Sequence, residues 1–265
     1  MPFTLTHIAA AIPIKKLTGS ILPFTALAIG TMVPDMPIFF NVVSSYSQTH
    51  SLTGLFTACL PIGLVMYVIF ELLVRTALLE LMPWAISQRL GERSTHNAKY
   101  LAGIVAALIL GAGSHVLWDS FTHHIGWGVD LVPALKTRVV LFGHSHGYYK
   151  LLQHGSSVVL LPLMAWWLYR WTKAPYTPPA KPFKCRLMLP LWLKLAGCSI
   201  IFVAPAIVAL IEAWIQTRSF YYGIGPAARA YGRYLVITSV GFSIMIHLSI
   251  WLRGRLSLSH ASLNR

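Results

Sequence analysis

Charge is scarce in this chain. Only 11% of its 265 residues are charged, and acidic side chains are the rarest, 7 Asp and Glu against 21 Lys and Arg. Soluble domains carry about 25% charge, so an ordinary water-facing globule is excluded. Hydrophobic residues make up 56% of the chain and mean hydropathy is +0.64, which marks an integral membrane protein. Cysteine is scarce too. Cys59 and Cys198 lie in apolar runs and Cys185 in a basic loop, so a disulfide framework is excluded and free thiols are expected. No stretch interleaves aromatic and basic residues, so no nucleic-acid partner is expected. The basic residues flank apolar runs instead, where membrane lipids and topology use them. No internal repeat is present, unlike the repeat-built transporters. The N-terminal stretch lacks a cleavable signal pattern, because Lys15 and Lys16 follow its first apolar segment.

What is abundant is long apolar sequence. A spanning helix needs about 20 such residues, and open sheets cannot satisfy their backbone in lipid. The expected fold is therefore all-α, a polytopic membrane helix bundle of about six spans. These fall at Ile21–Val43, Thr53–Val74, Tyr100–Trp118, Ser156–Trp171, Leu187–Trp214 and Tyr234–Leu252. The fifth is expected to tilt or kink at Pro190 and Pro205. Four prolines within residues 173–182 predict a linker. It separates a His/Asp-rich core, 1–172, from a C-terminal pair of spans, 183–265. With both termini cytoplasmic, 14 Lys and Arg fall on the cytoplasmic side and 6 on the other. That bias predicts a cytoplasmic (inner) membrane with the polar site on its outer face.

The polar site begins with His115-Val-Leu-Trp-Asp119-Ser-Phe-Thr-His123, at the end of the third apolar run. Residues four apart share a helix face, and ionisable groups at a membrane edge usually mark function. His and Asp are ligands for Zn, Mn or Fe. Eight residues of helix separate the two histidines by about 12 Å, so they cannot grip one ion together; one or two ions stay open. Asp35, between Pro34 and Pro37, and His50 in a short loop fall on the same side. Gln153 and His154 follow at the start of the fourth span, and His144 and His146 sit in a loop before it; all four are read as supporting or substrate-facing groups. Nine of the eleven histidines precede residue 155.

His7 does not fit a single first span, which would put it across the membrane from Asp35. An antiparallel hairpin of residues 6–17 and 22–33, turning at Thr18-Gly-Ser20, would join the two. It would also push Lys15 and Lys16 toward lipid, so local physics slightly disfavours it.

Met1-Pro-Phe-Thr-Leu-Thr-His7, Pro34-Asp35, His50-Ser51, the His115/Asp119/His123 ladder and Gln153-His154 resemble a bacterial membrane family, domain of unknown function 4184, over about residues 1–172. More distantly the chain is similar to membrane-bound metal-dependent hydrolases. That resemblance implies metal ligands at His7, Asp35, His50, His115, Asp119 and His123, and it favours the hairpin.

The expected function is metal-dependent hydrolysis of a lipid or lipid-linked phosphate ester, with a divalent ion, Zn ahead of Mn or Fe. Asp35 or Asp119 would serve as general base. The alternatives are a non-catalytic assembly or regulatory protein with a structural metal site, and a transporter.

Overall fold

The computed structural model describes residues 4–40, 44–90, 97–141, 143–176, 179 and 182–263, the side chains of 220, 221 and 256–263 excepted. The first three residues of the N-terminal motif, the end of the first expected span, Arg93 and much of the linker lie outside them.

The protein is an all-α membrane bundle. Five helices are long and apolar enough to cross a membrane, and a shorter apolar stretch covers Phe24–Phe39. The chain divides into two compact units, Met1–Tyr67 with His96–Ala174, and Val68–Thr95 with Pro175–Arg265. Residues 68–95 thus group with the C-terminal part rather than with the His-rich core.

In the first unit the N-terminus forms the hairpin, and a single span from Ile21 is not what the structure shows. A 3-10 turn, Thr4–Ala10, leads into α1, Ala11–Thr18; the chain turns at Gly19 and returns as α2, Phe24–Gly30. Gly19 sits at φ 56°, a conformation open to glycine at little cost. The objection raised by Lys15 is met locally. Its ammonium donates to the Leu22 carbonyl at 2.7 Å across the turn, and burial lowers its pKa. After α2 the prolines take over. Val33–Asp35 is 3-10 and Met36–Phe39 a single helical turn, because Pro34 and Pro37 supply no N–H to an α-helical ladder.

α3, Leu55–Leu81, α4, Ala98–Thr122, and α5, Tyr148–Lys173, are longer than their expected spans. α2 lies against α4 through glycine. A Cβ on Gly30 would meet the Leu108 carbonyl at 2.5 Å, one on Gly111 the Leu27 carbonyl at 2.5 Å, and one on Gly103 the Ile21 carbonyl at 2.5 Å. Small residues of this kind let membrane helices pack backbone to backbone. Contacts that pass from Ile21–Gly103 to Leu27–Gly111 run the two helices in the same direction. Between α4 and α5 a short helix, Trp127–Leu131, precedes a two-stranded antiparallel hairpin, β1 (Arg138–Leu141) and β2 (His144–Gly147).

The second unit is built on α6, Leu191–Thr217, and α7, Phe220–Leu263. The expected break at Pro205 takes a specific form: Ser199–Val203 is π-helical just before it. Pro205 cannot donate to the carbonyl four residues back, and that carbonyl, of Ile201, accepts from Thr238 at 3.4 Å. Pro190 does not kink the helix but caps it. Ala77, Leu81, Leu187, Ile201, Phe242 and Ile246 form the core. Glu80 is fully buried there and accepts from the backbone N–H groups of Arg186 and Leu187 at 2.6 and 3.3 Å. His247 bonds the Leu73 carbonyl, Arg75 pairs with Glu71, and Glu212 pairs with Arg233 and Tyr234. All three cysteines are free.

Candidate metal centre

The site is assembled at one end of the first unit from four stretches of chain. α4 supplies His115 and Asp119, one turn apart on one face. The 3-10 turn at Val33–Asp35 supplies Asp35, and the hairpin brings up His7. His50 caps the short helix Tyr46–Thr49, whose N-terminus is closed by the Ser45 hydroxyl. Thr49 ties that helix to the Asp35 segment, donating to the Pro34 carbonyl at 2.8 Å.

These side chains lie out of water. Relative exposure is 0% for His115, 1% for Asp35, 4% for Asp119 and 6% for His7. Buried polar atoms are nearly always hydrogen-bonded, yet His7 Nε2, Asp35 Oδ1, His50 Nε2, His115 Nε2 and Asp119 Oδ1 are buried without a hydrogen-bond partner. They face one another. His115 Nε2 lies 3.5 Å from Asp35 Oδ1 and 3.4 Å from Asp119 Oδ2; His50 Nε2 is 3.5 Å from Asp119 Oδ2, and His7 Nε2 is 3.6 Å from Asp119 Oδ1. Donors bound to one ion at about 2.1 Å in a tetrahedron are about 3.4 Å apart. Asp35, His50, His115 and Asp119 each offer an atom within 4.8 Å of the others and could hold a metal ion. His7 Nε2 joins them from the side of Asp119.

The far sides of these groups are held. His115 Nδ1 donates to the Thr31 carbonyl at 2.7 Å, a carbonyl left free where α2 ends. His50 Nδ1 donates to the Tyr46 carbonyl at 3.0 Å. Both bonds leave the lone pair on Nε2, aimed inward, as metal-binding histidines require. Asp35 Oδ2 accepts from the Thr4 hydroxyl at 2.7 Å, so only Oδ1 is free. The His7 ring stacks on His115 at 3.7 Å. Burial, reinforced by the facing His115, presses His7 down to about 3, so its imidazole stays neutral with a lone pair to offer.

His123 sits one step back. Its Nδ1 lies 3.1 Å from the Asp119 carbonyl and 3.5 Å from Asp119 Oδ2, while its Nε2 is 3.0 Å from the Gln153 amide nitrogen. Both ring nitrogens are engaged, and Gln153 is buried behind them. His144 and His146 lie on the β-hairpin with their rings 6.3 Å apart, and His154 is exposed on α5; none of the three reaches the donor cluster.

Sequence reasoning missed Tyr46, Thr4 and Thr31. The Tyr46 ring stacks on His50 at 3.8 Å, and its hydroxyl donates to Asp119 Oδ2 at 3.5 Å. Burial first, then the nearby Asp119 and Asp35 carboxylates, raise its pKa, so the phenol keeps its proton. The spacing Tyr46-x-x-x-His50 was a usable signal for the pair. Thr4 and Thr31 gave none, because their partners come from distant chain.

The family described as Domain of unknown function (DUF4184) matches residues 1–251, and the chain belongs to it. The match reaches well past the 172 residues over which the motifs suggested it, and so takes in the C-terminal spans. No curated protein and no solved structure matches the chain.

Proposed function

We propose that this protein is a metal-dependent hydrolase acting at the membrane surface on a lipid or lipid-linked phosphate ester. The observation that carries the reading is the convergence of donor atoms from Asp35, His50, His115 and Asp119 within 4.8 Å of one another, with the buried, unpartnered His7 Nε2 beside Asp119. A single cation at their centre would satisfy imidazole and carboxylate donors together, where leaving desolvated donors unpaired is costly. Spacings of 3.4–3.6 Å suit a single ion rather than two. The mixed His/Asp set suits Zn, with Mn or Fe as alternatives.

His7, Asp35, His50, His115 and Asp119 would hold the ion. A bound divalent ion supplies an acidified water and neutralises charge on a phosphoryl oxygen. The chain's own groups do the rest. Thr4 fixes Asp35 as a one-oxygen donor. With Oδ1 on the ion, Asp119 would keep Oδ2, which accepts from Tyr46, as the carboxylate oxygen placed to take a proton. Tyr46 keeps its proton and can donate to a developing oxyanion. His50 and His123 are more exposed than the groups behind them, their side chains at 13% and 25%.

On charge, the site belongs on the outer face of a bacterial cytoplasmic membrane. Residues 44–54 carry no Lys or Arg, and 123–147 carry only Lys136 and Arg138; the opposite end of the same unit holds Lys15, Lys16, Lys99, Arg170 and Lys173.

The near-complete burial of Asp35, His115 and Asp119 favours a second reading, a structural ion in a non-catalytic membrane protein, since structural sites are closed. Purified protein offered phospholipids and lipid phosphates separates the two. The hydrolase reading expects metal-dependent release of a headgroup or phosphate, lost in Asp119→Asn. Bound metal without turnover of any such ester would leave the structural reading.

A further inference from the structure

Beyond His123, the segment between α4 and α5 plays no part in holding the donors, yet it is built unlike a water-facing loop. It leaves one spanning helix at Thr122 and enters the next at Tyr148. Within it Ile125 is 91% exposed, Leu131 and Val140 69% each, and Trp127 50%. Exposed apolar groups this dense normally mark a contact surface. Folding within the segment is definite nonetheless. Val129 is fully buried, Asp130 pairs with Lys136 at 2.5 Å, and Arg138 ties β1 to β2 by donating to the Ser145 hydroxyl at 2.8 Å. The apolar side chains are therefore outside an ordered segment by construction, not by unravelling.

We propose that residues 123–147, Phe142 aside, form an interfacial anchor lying in the headgroup and upper acyl layer of the membrane that the chain spans. Continuity identifies this occupant. Both ends of the segment are fixed to apolar helices that enter that same bilayer, so lipid is within reach of every side chain named. The chemistry agrees: a tryptophan with aliphatic partners takes the acyl boundary, while Arg138 and the adjoining Lys150 meet lipid phosphate. The anchor would hold the mouth of the donor cluster at headgroup depth. That consequence for the substrate rests on the hydrolase reading; the anchor itself does not.

Nitroxide labels test it. Single cysteines replace Ile125, Leu131 and Val140 in a full-length chain with Cys59, Cys185 and Cys198 changed to Ala, reconstituted in phosphatidylcholine–phosphatidylglycerol vesicles. Collision with oxygen is compared with collision with a water-soluble nickel chelate. A label at lipid-facing Val158 and one at exposed Ser47 serve as references, and the midpoint of thermal unfolding of each variant in detergent reports folding. The anchor expects an oxygen-to-nickel ratio at all three positions several-fold above that at Ser47 and approaching that at Val158. Ratios equal to Ser47 would put the segment in water and overturn the proposal. Protection from both reagents would overturn it as well, in favour of a second copy or a partner protein. Because folding is read without reference to metal, loss of the hydrolase reading would leave the accessibility result intact.

Discussion

At the residue scale the argument turns on which nitrogen and which oxygen each side chain has to spare. His115 and His50 spend Nδ1 on backbone carbonyls, Asp35 spends Oδ2 on Thr4, and what remains points to one place. Removing a supporting group should therefore weaken metal binding without abolishing it. Thr4→Val is expected to lower metal affinity by about 10–100-fold, measured by chelator competition. His123, with both nitrogens engaged, is expected to behave differently from His115. His123→Gln should retain a full complement of metal, whereas His115→Ala should lose it; equal loss in both would make His123 a ligand. Tyr46→Phe should keep metal and lower turnover by about a hundredfold, the usual effect of losing one oxyanion donor, so a change in metal content instead would give Tyr46 a structural role. His115 and Asp119 stood out by their spacing and Asp35 and His50 by their place beside apolar runs, whereas His7 entered only through the family resemblance. Their division into those that hold and those that support was not legible, because it depends on hydrogen bonds between Thr31 and His115 or Thr4 and Asp35 that join chain far apart in sequence.

At the element scale the N-terminal hairpin decides whether the site exists. Local reasoning weighed Lys15 and Lys16 against it and could not see that Lys15 would find the Leu22 carbonyl. Pro34 and Pro37 did announce a break, and the structure turns that break into the 3-10 turn that presents Asp35. The span from Phe24 is held to α4 by backbone contact at Gly30 and Gly111. Gly111→Val should separate the two helices and destabilise the protein by at least about 1–3 kcal/mol, seen as a lower midpoint of thermal unfolding in detergent. Because the ion would add to the stacking of His7 on His115 in tying the hairpin to the cluster, chelation should loosen the hairpin. Amide exchange over residues 4–18 is expected to speed up on metal removal while the middle of α4 is unchanged. Glu80 had no readable signal at all: a lone acid in an apolar helix, it is buried to bind two backbone N–H groups a hundred residues away.

At the scale of the whole molecule, composition was sufficient for the class of fold. Scarce charge and long apolar runs predict a multi-pass helical protein, and the five long helices with their shorter companion are what such runs form. The division into units was less legible. The second half of α3 groups with the C-terminal helices, through core contacts of Ala77 and Leu81 that no local pattern reveals. The central claim, a cation held by His7, Asp35, His50, His115 and Asp119, is tested most directly by elemental analysis of the purified full-length protein beside Asp119→Ala. The account predicts a single Zn, Mn or Fe ion per chain in the parent and its loss from the variant. A parent protein without stoichiometric metal after growth and purification in its presence, or a variant that retains it, would contradict the account.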